Sequence, residues 1–473
     1  MRQEHRVTRV RDDATDLPAA LKRAVAAIEE WQTSYGGFDR HPSTQVAAGD
    51  WQRAFDRFVS RLTAPGEQYP FFHPHYAGQM LKPPHPIAVV GYLAAMLINP
   101  NAHALDGGPA TAAMEKDAVA RLAAMFAMPE HLGHLTSSGT VANLEALWVG
   151  RRERPGASVA VSRDAHYTHT RMCEVLGVNA IDVAVDERGR MDLDDLDRIL
   201  QSHDIGTVVA TLGTTGLGAI DPLADIVPLA REAGARVHVD AAYGGFFATV
   251  ADDSADGVPS RHFAAIREAD SVVVDPHKHG LQPYGCGAVL FADRSVGRHY
   301  KHDSPYTYFS SDELHLGEIS LECSRAGAAA AAFWLTTEVF PLDRDGLGRV
   351  LRPGLRAARR LHELLESDER LRSVQTPETD IVGYLTRNES AARVDADSAR
   401  IFTELASRPR DQQWHLATYA MSVSDLDRRG IDLDPDHPRP RILRSVLMKP
   451  EHEQAVDELV EVLDEVSAPT VDP

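Results

Sequence analysis

The chain is poor in cysteine, in positive charge and in long apolar runs. Only three of its 473 residues are cysteine: Cys173, Cys286 and Cys323. They are widely spaced and form no metal-type pair, which excludes a disulfide framework and fits a reducing interior. Lysine and arginine number 49 against 69 aspartates and glutamates, a formal charge of −20. That balance argues against non-specific binding to nucleic acid or to anionic membranes. No stretch approaches the roughly 20 uncharged apolar residues of a membrane span. The opening MRQEHRVTRVRDDATDL lacks the apolar core of a signal peptide, so a cytoplasmic location is expected.

What is present is an ordinary globular composition, 43% hydrophobic and 25% charged, and no internal repeat or low-complexity tract. The length calls for one large domain plus a smaller one. LPAALKRAVAAIEEWQ and DWQRAFDRFVSRL read as helices before an irregular stretch, YPFFHPHYAGQMLKPPHP (Tyr69 to Pro86). Pro-, His- and aromatic-rich loops of this kind tend to build sites. From Ile87 to about Phe340, helical patterns alternate with short apolar runs: GHLTSSG, ASVAVS, AIDVAV, GTVVATLGTT, ARVHVDAAY, SVVVD and GAVLFA. Several of these runs are continuously apolar, as expected when helices cover both faces of a mainly parallel sheet. Beyond a boundary near Pro341 the pattern becomes helix, strand, helix, strand, strand, helix, which reads as a compact α+β unit.

Four stretches place chemistry-bearing residues at the ends of expected strands. In LTSSGTVANLEALWVG (Leu135 to Gly150) a strand gives way to small and hydroxyl residues, then to a helix. Free backbone N–H groups and the positive dipole end would face an anion there; Gly139 admits a close approach, and Thr140 or Ser138 adds a hydroxyl. By itself the stretch reads as a Ser/Thr helix cap. In ARVHVDAAYGGF, Asp240 ends a hydrophobic strand, where a carboxylate is costly unless paired. A protonated pyridine nitrogen would pair it; capping of the next turn is the other reading.

Lys278 of SVVVDPHKHG follows Asp240 by 38 residues, the length of one strand–helix–strand excursion. Both groups should then emerge at one edge of the sheet, where parallel sheets collect ligands. An amine with cationic or apolar neighbours loses its proton easily and condenses with aldehydes. AVSRDAHYTHT adds His166, an imidazole that can lie flat on an aromatic ring. The competing reading makes His166 and His169 a metal pair, with His277 and His279 as further ligands. No carboxylate or cysteine at ligand spacing and no HExxH helix supports it. An anion cradle, a ring-stacking histidine, a ring-nitrogen carboxylate and an aldehyde-binding amine are the handles of pyridoxal phosphate.

TSSGTVANLEAL, SRDAHYTHT, TLGTTGLGAID, HVDAAYGGF and DPHKHG together resemble the group II pyridoxal-phosphate decarboxylases, which act on aromatic amino acids, tyrosine, glutamate, aspartate and related substrates. The resemblance spans about Tyr69 to Phe340. It implies the aspartate-aminotransferase fold (fold type I): a mainly parallel central sheet with helices on both faces, plus a small α+β C-terminal domain. It implies that Lys278 carries the cofactor as an imine, that Asp240 pairs with the pyridinium and that His166 stacks on the ring. Gly139 and Thr140 would hold the phosphate, helped by His277, with Thr215 and Ala242 lining the cofactor. Residues 1–86 would wrap around a partner subunit, 87–340 would bind the cofactor and 341–473 would form the small domain, giving a homodimer with shared sites. The implied reaction removes the α-carboxylate of an L-amino acid as carbon dioxide, leaving an amine. Tyr306 or Tyr308 of HDSPYTYFSSDELHLGEIS would then return a proton to Cα.

The substrate is less constrained. FFHPHY supplies aromatics for a side chain such as tyrosine, which is slightly favoured; His73, His75 and Lys82 of the same loop would suit glutamate or aspartate. Gln79 is a further pocket candidate. Arg325 could bind a carboxylate, and helix capping is its favoured role. Many family members carry Asn-Pro-His-Lys where this chain has Asp275-Pro276-His277-Lys278. A carboxylate at 275 would repel a nearby phosphate, and the motif keeps an aldehyde-releasing carbon–carbon lyase open. A decarboxylating aldehyde synthase, a non-catalytic binding protein and a metal-dependent hydrolase are the other readings.

Overall fold

The computed structural model describes residues 16–301 and 320–468, apart from 65 and 104. Seven strands form the main sheet: β1 (Leu132–Thr136), β2 (Ser158–Ser162), β3 (Ala180–Val183), β4 (Ile205–Thr211), β5 (Arg236–Asp240), β6 (Ser271–Val274) and β7 (Gly287–Phe291). Their order is β1-β7-β6-β5-β4-β2-β3. The pairs β3–β2–β4–β5–β6 are parallel, and β7 runs antiparallel to both of its neighbours. All seven apolar runs expected from the sequence are strands, and the fold is a doubly wound α/β arrangement of fold type I.

The apolar runs dictate this layering. Every residue of β1, β4, β6 and β7 is buried, so neither face of these strands meets water and helices must cover both. The core they share runs on into the C-terminal region through Leu347, Leu351 and Leu355. Register then fixes the chemistry. Thr211 of β4 pairs with Asp240 of β5, and Asp240 pairs with Val273 of β6. The chain therefore leaves three adjacent strands at one level, and the carboxyl edge of the sheet becomes a shelf.

The first five α-helices are α1 (Leu17–Thr33), α2 (Ala48–Leu62), α3 (Pro86–Ile98), α4 (Pro109–Met125) and α5 (Gly139–Glu153). The second sheet is antiparallel, in the order β10-β11-β9-β8, from β8 (Leu371–Ser373), β9 (Ile381–Thr386), β10 (Ala417–Ala420) and β11 (Arg441–Val446). Three-residue β8 was too short to register as a pattern in the sequence. No helix among the described residues is long and apolar enough to cross a membrane.

The helix Gly348–Glu366 joins the two sheets and is clipped to the loop after β5 by charge. Arg352 reaches Asp252 and Asp256 at 2.6 Å each, and Arg356 reaches Asp256 at 2.9 Å. The Ser254 hydroxyl and Arg352 hold the Asp252 carboxyl at about 2, below its ordinary 3.8. A depressed carboxyl contributes stability above its unfolded value and loses it as pH falls through the folded one. Arg352→Ala is expected to cost about 1–2 kcal/mol near neutral pH, because the network is only partly exposed. The gap to the parent should narrow between pH 4 and pH 2 in urea unfolding, and a pH-independent gap would contradict the clip.

Candidate active site

The shelf is a cleft lined by Ser138, Gly139 and Thr140 from the start of α5, by His166 and Thr168, by Gly213 and Thr215 after β4, by Asp240, Ala242 and Tyr243 after β5, and by Asp275, His277 and Lys278 after β6. Gly139, Thr140, His166, Thr215, Asp240, Ala242, His277 and Lys278, all expected from the sequence, therefore share one cleft. Tyr306 and Tyr308 lie outside the described residues.

Each side chain is delivered by the local fold. Ser138 caps α5, its hydroxyl accepting from Val141 N–H at 3.3 Å, which aims the first turn into the cleft. A Cβ at 139 would lie 2.6 Å from Asp275 Oδ2, so any residue but glycine there would displace that carboxylate. Gly213 turns the chain after β4 at φ +91°, where side chains rarely go. The His166 ring is held by the Thr168 hydroxyl at 2.7 Å from Nδ1, and burial pushes its pKa down, so it faces the cleft as a neutral ring.

Asp240 is the electrostatic centre. It is 4% exposed, and burial alone would push its carboxyl up. His169 Nε2 donates to its Oδ2 at 2.7 Å and the Ala242 N–H to its Oδ1 at 3.0 Å. With Lys278 nearby, these contacts outweigh burial and hold the carboxyl well below the usual range. Asp240 is thus an anion at every physiological pH, the state that keeps a proton on a facing pyridine nitrogen. Beneath it, the buried His238 bridges Asn143 Oδ1 at 2.8 Å and the Ser271 hydroxyl at 2.9 Å.

Lys278 Nζ sits 3.0 Å from Asp275 Oδ2. Asp275 is buried, its Oδ1 has no hydrogen-bond partner among the described residues, and His277 Nε2 lies 3.6 Å from Oδ2. The residue that departs from Asn-Pro-His-Lys therefore stands beside the start of α5, against Gly139, with its charge balanced by the Lys278 amine. His277 Nδ1 is directed at the Cys286 carbonyl at 2.6 Å. An amine, a fixed anion, a flat imidazole and a helix N-terminus facing one cleft fit pyridoxal phosphate in chemistry, while the Asp275 carboxylate, met by Lys278 at 3.0 Å, is an acceptor and no donor to the phosphate.

Several sequence candidates sit elsewhere. His75 stacks on Trp414 at 4.2 Å and pairs with Glu458 at 3.2 Å. His73 lines a separate cavity with Tyr69, Arg410 and His415, and Gln79 is exposed. Among the described residues the Arg325 guanidinium is engaged with a carboxylate. It pairs with Glu115 at 3.0 Å and bonds the Leu135 carbonyl, so the carboxylate it binds belongs to this chain. Among the described residues no three His, Cys, Asp or Glu side chains converge as a metal site; His169 serves Asp240 instead. Sequence reading missed that role, and it missed Asn143 and Arg444. The spacing of His238 and Asp240, two apart on β5, was a usable signal because such residues share one face.

Residues 68–386 match the family model described as the pyridoxal-dependent decarboxylase conserved domain. The chain is 28% identical over 388 residues to an L-tyrosine decarboxylase of Enterococcus faecium, covering 62% of this chain and 64% of that one. It is 25% identical over 366 residues to an L-aspartate decarboxylase of Thermococcus kodakarensis, covering 74% and 91%. In fold it is similar to Oryza sativa TDC crystallised with PLP and tryptamine, at a TM-score of 0.75 and 18% identity over 97% of this chain and 99% of that one. The chain belongs to the family of pyridoxal-dependent decarboxylases, carboxy-lyases whose cofactor is pyridoxal 5'-phosphate.

Proposed function

We propose that this protein removes the α-carboxylate of an L-amino acid with an aromatic side chain, tyrosine first, releasing carbon dioxide and an amine. The observation that carries the reading is the meeting of Lys278, Asp240, His166 and the α5 N-terminus in one cleft. When bound, pyridoxal phosphate supplies an electron sink for the bond that breaks at Cα. In this reading the Lys278 amine is the tether and Asp275 holds it in place at 3.0 Å. The charge on Asp240 keeps a proton on the ring nitrogen. The first turn of α5 and the Thr140 hydroxyl take the phosphate, with His277 alongside. His166 covers one ring face, and Ala242 and Thr215 leave room for the ring. Tyr306 or Tyr308, on the resemblance alone, returns the proton to Cα.

Two observations support an aromatic substrate over an acidic one. Tyr284 is 55% exposed and lies against His277 at 4.7 Å, offering an apolar face beside a cleft histidine. The buried cation Arg444 is already engaged, donating to the carbonyls of Thr215 and Gly216 at 2.7 Å each. The similarity to an L-aspartate decarboxylase keeps an acidic substrate as the second reading.

The same proposal includes a cytoplasmic homodimer in which residues 1–86 form an arm on the partner, 87–340 the cofactor domain and 341–473 the small domain. Every residue of α2 is exposed, and Trp51, Phe55, Phe58 and Leu62 make one apolar stripe at 49–66% exposure. A stripe of that kind needs a partner. The three cysteines, all unpaired, suit a reducing compartment.

Four measurements test this. Carbon dioxide release from a panel of L-amino acids should be fastest with tyrosine, and a preference for aspartate would select the second reading. Lys278→Ala should lose the cofactor's visible absorbance and at least roughly 1,000-fold in turnover; retention of both would defeat the mechanism. His169→Ala should lower kcat roughly 10- to 100-fold, as loss of other supporting hydrogen bonds does, while the absorbance survives. In sedimentation, the double change Phe55→Glu and Phe58→Glu should convert a dimer to a monomer, whereas a monomeric parent would refute the arm.

A further inference from the structure

Behind the turn that carries Lys278 lies a buried polar cluster that the cleft chemistry does not use. Asp380, just before β9 in the small sheet, is 1% exposed. Its Oδ1 accepts the Tyr243 hydroxyl at 2.5 Å. Its Oδ2 faces His279 Nε2 at 3.3 Å, within ion-pair reach but off the hydrogen-bond angle. The two oxygens thus serve two different turns. Tyr243 closes the turn after β5 that presents Asp240 and Ala242, and His279 directly follows Lys278 in the turn after β6.

His279 cannot be indifferent to that carboxylate. Its ring is wedged against Tyr243 at 4.7 Å and Phe247 at 4.8 Å, and neither nitrogen has a hydrogen-bond partner among the described residues. An unbonded buried imidazole costs free energy. A small rotation of the ring would turn the 3.3 Å approach to Asp380 into a hydrogen bond. Lys82 of the N-terminal loop and Arg444 of β11 add positive charge near Asp380. The third neighbour, Gly354 of the helix Gly348–Glu366, brings none.

We propose that Asp380 is a positioning residue, which ties the turn bearing Asp240 to the turn bearing Lys278 and so sets the distance between the ring-nitrogen anion and the tethering amine. This rests on the reading of Lys278 as the cofactor's tether. The small domain then acts on the chemistry without touching substrate, through one carboxylate. Burial raises the Asp380 carboxyl to about 6, so the tie changes charge within a range that solution titration reaches.

The test compares Asp380→Asn, which keeps the shape, and Tyr243→Phe, which removes only the hydroxyl, with the parent, each loaded with pyridoxal phosphate. The visible absorbance is followed from pH 5 to pH 9, and kcat and KM are measured with the best amino acid from the panel. Both variants should shift the absorbance midpoint by at least half a pH unit and lower kcat about tenfold, with KM moving less than threefold. A folded Asp380→Asn with the parent's midpoint and a kcat within twofold would overturn the inference. If Asp380→Asn does not fold, an unchanged midpoint in Tyr243→Phe overturns it, and a shifted one supports it. A parent that shows no visible band with the cofactor would bring down the tether reading itself, and this inference with it.

Discussion

Burying the Asp240 carboxylate at the end of β5 removes water that would otherwise solvate it, and the hydrogen bond from His169 at 2.7 Å is what makes the burial tolerable. Much of the site is arranged around that exchange. His169 must be buried to reach Asp240, so the segment from His166 to Thr168 is drawn down over the cleft and sets the His166 ring. Asn143 of α5 meets His238 beneath Asp240, which ties the anion-facing helix to the same strand. A neutral residue at 240 would relieve the desolvation cost and remove the reason for these contacts. The low-dielectric setting that makes an unpaired charge expensive also makes a paired one effective.

Most of the main sheet was legible because its strands are buried on both faces. A run such as SVVVD or TVVAT has no polar phase to confuse, and glycine or hydroxyl residues mark its end. The site was legible for a related reason: a parallel sheet brings the ends of distant strands to one edge, so Asp240 and Lys278 could be joined by their 38-residue spacing, the length of one strand–helix–strand excursion. What sequence could not supply was contact between side chains of unrelated segments. His169 looked like half of a metal pair because its partner lies 71 residues away. Arg325 looked like a cap because Glu115 is 210 residues distant. His73 and His75 looked like pocket residues because a Pro-rich loop carries no period from which to read direction; in the fold His75 turns to Trp414 instead.

The two sheets are coupled by more than the helix between them. Arg444 of β11 spends its donors on the carbonyls of Thr215 and Gly216, in the turn that lines the cleft. Asp380 reaches the turns after β5 and β6 from the same side. Two of the loops that shape the cleft are therefore hydrogen-bonded from the small sheet, one to a buried cation and one to a buried carboxyl, and the third comes within 3.3 Å of that carboxyl. Such groups tolerate little misplacement, since breaking one partner leaves the other charged and dry. That is a physical reason for the cleft to keep its shape when substrate is absent.

The treatment of β1 has a consequence for solubility. It lies at the edge of the main sheet, where a free row of donors and acceptors would invite a strand from another molecule. The Leu135 N–H is occupied by Glu115 at 2.8 Å, and its carbonyl by Arg325 and by His134 Nδ1 at 2.7 Å. An incoming chain would find that rung of the ladder taken and two charged side chains in its path, so pairing is blocked at Leu135 by the chain's own residues.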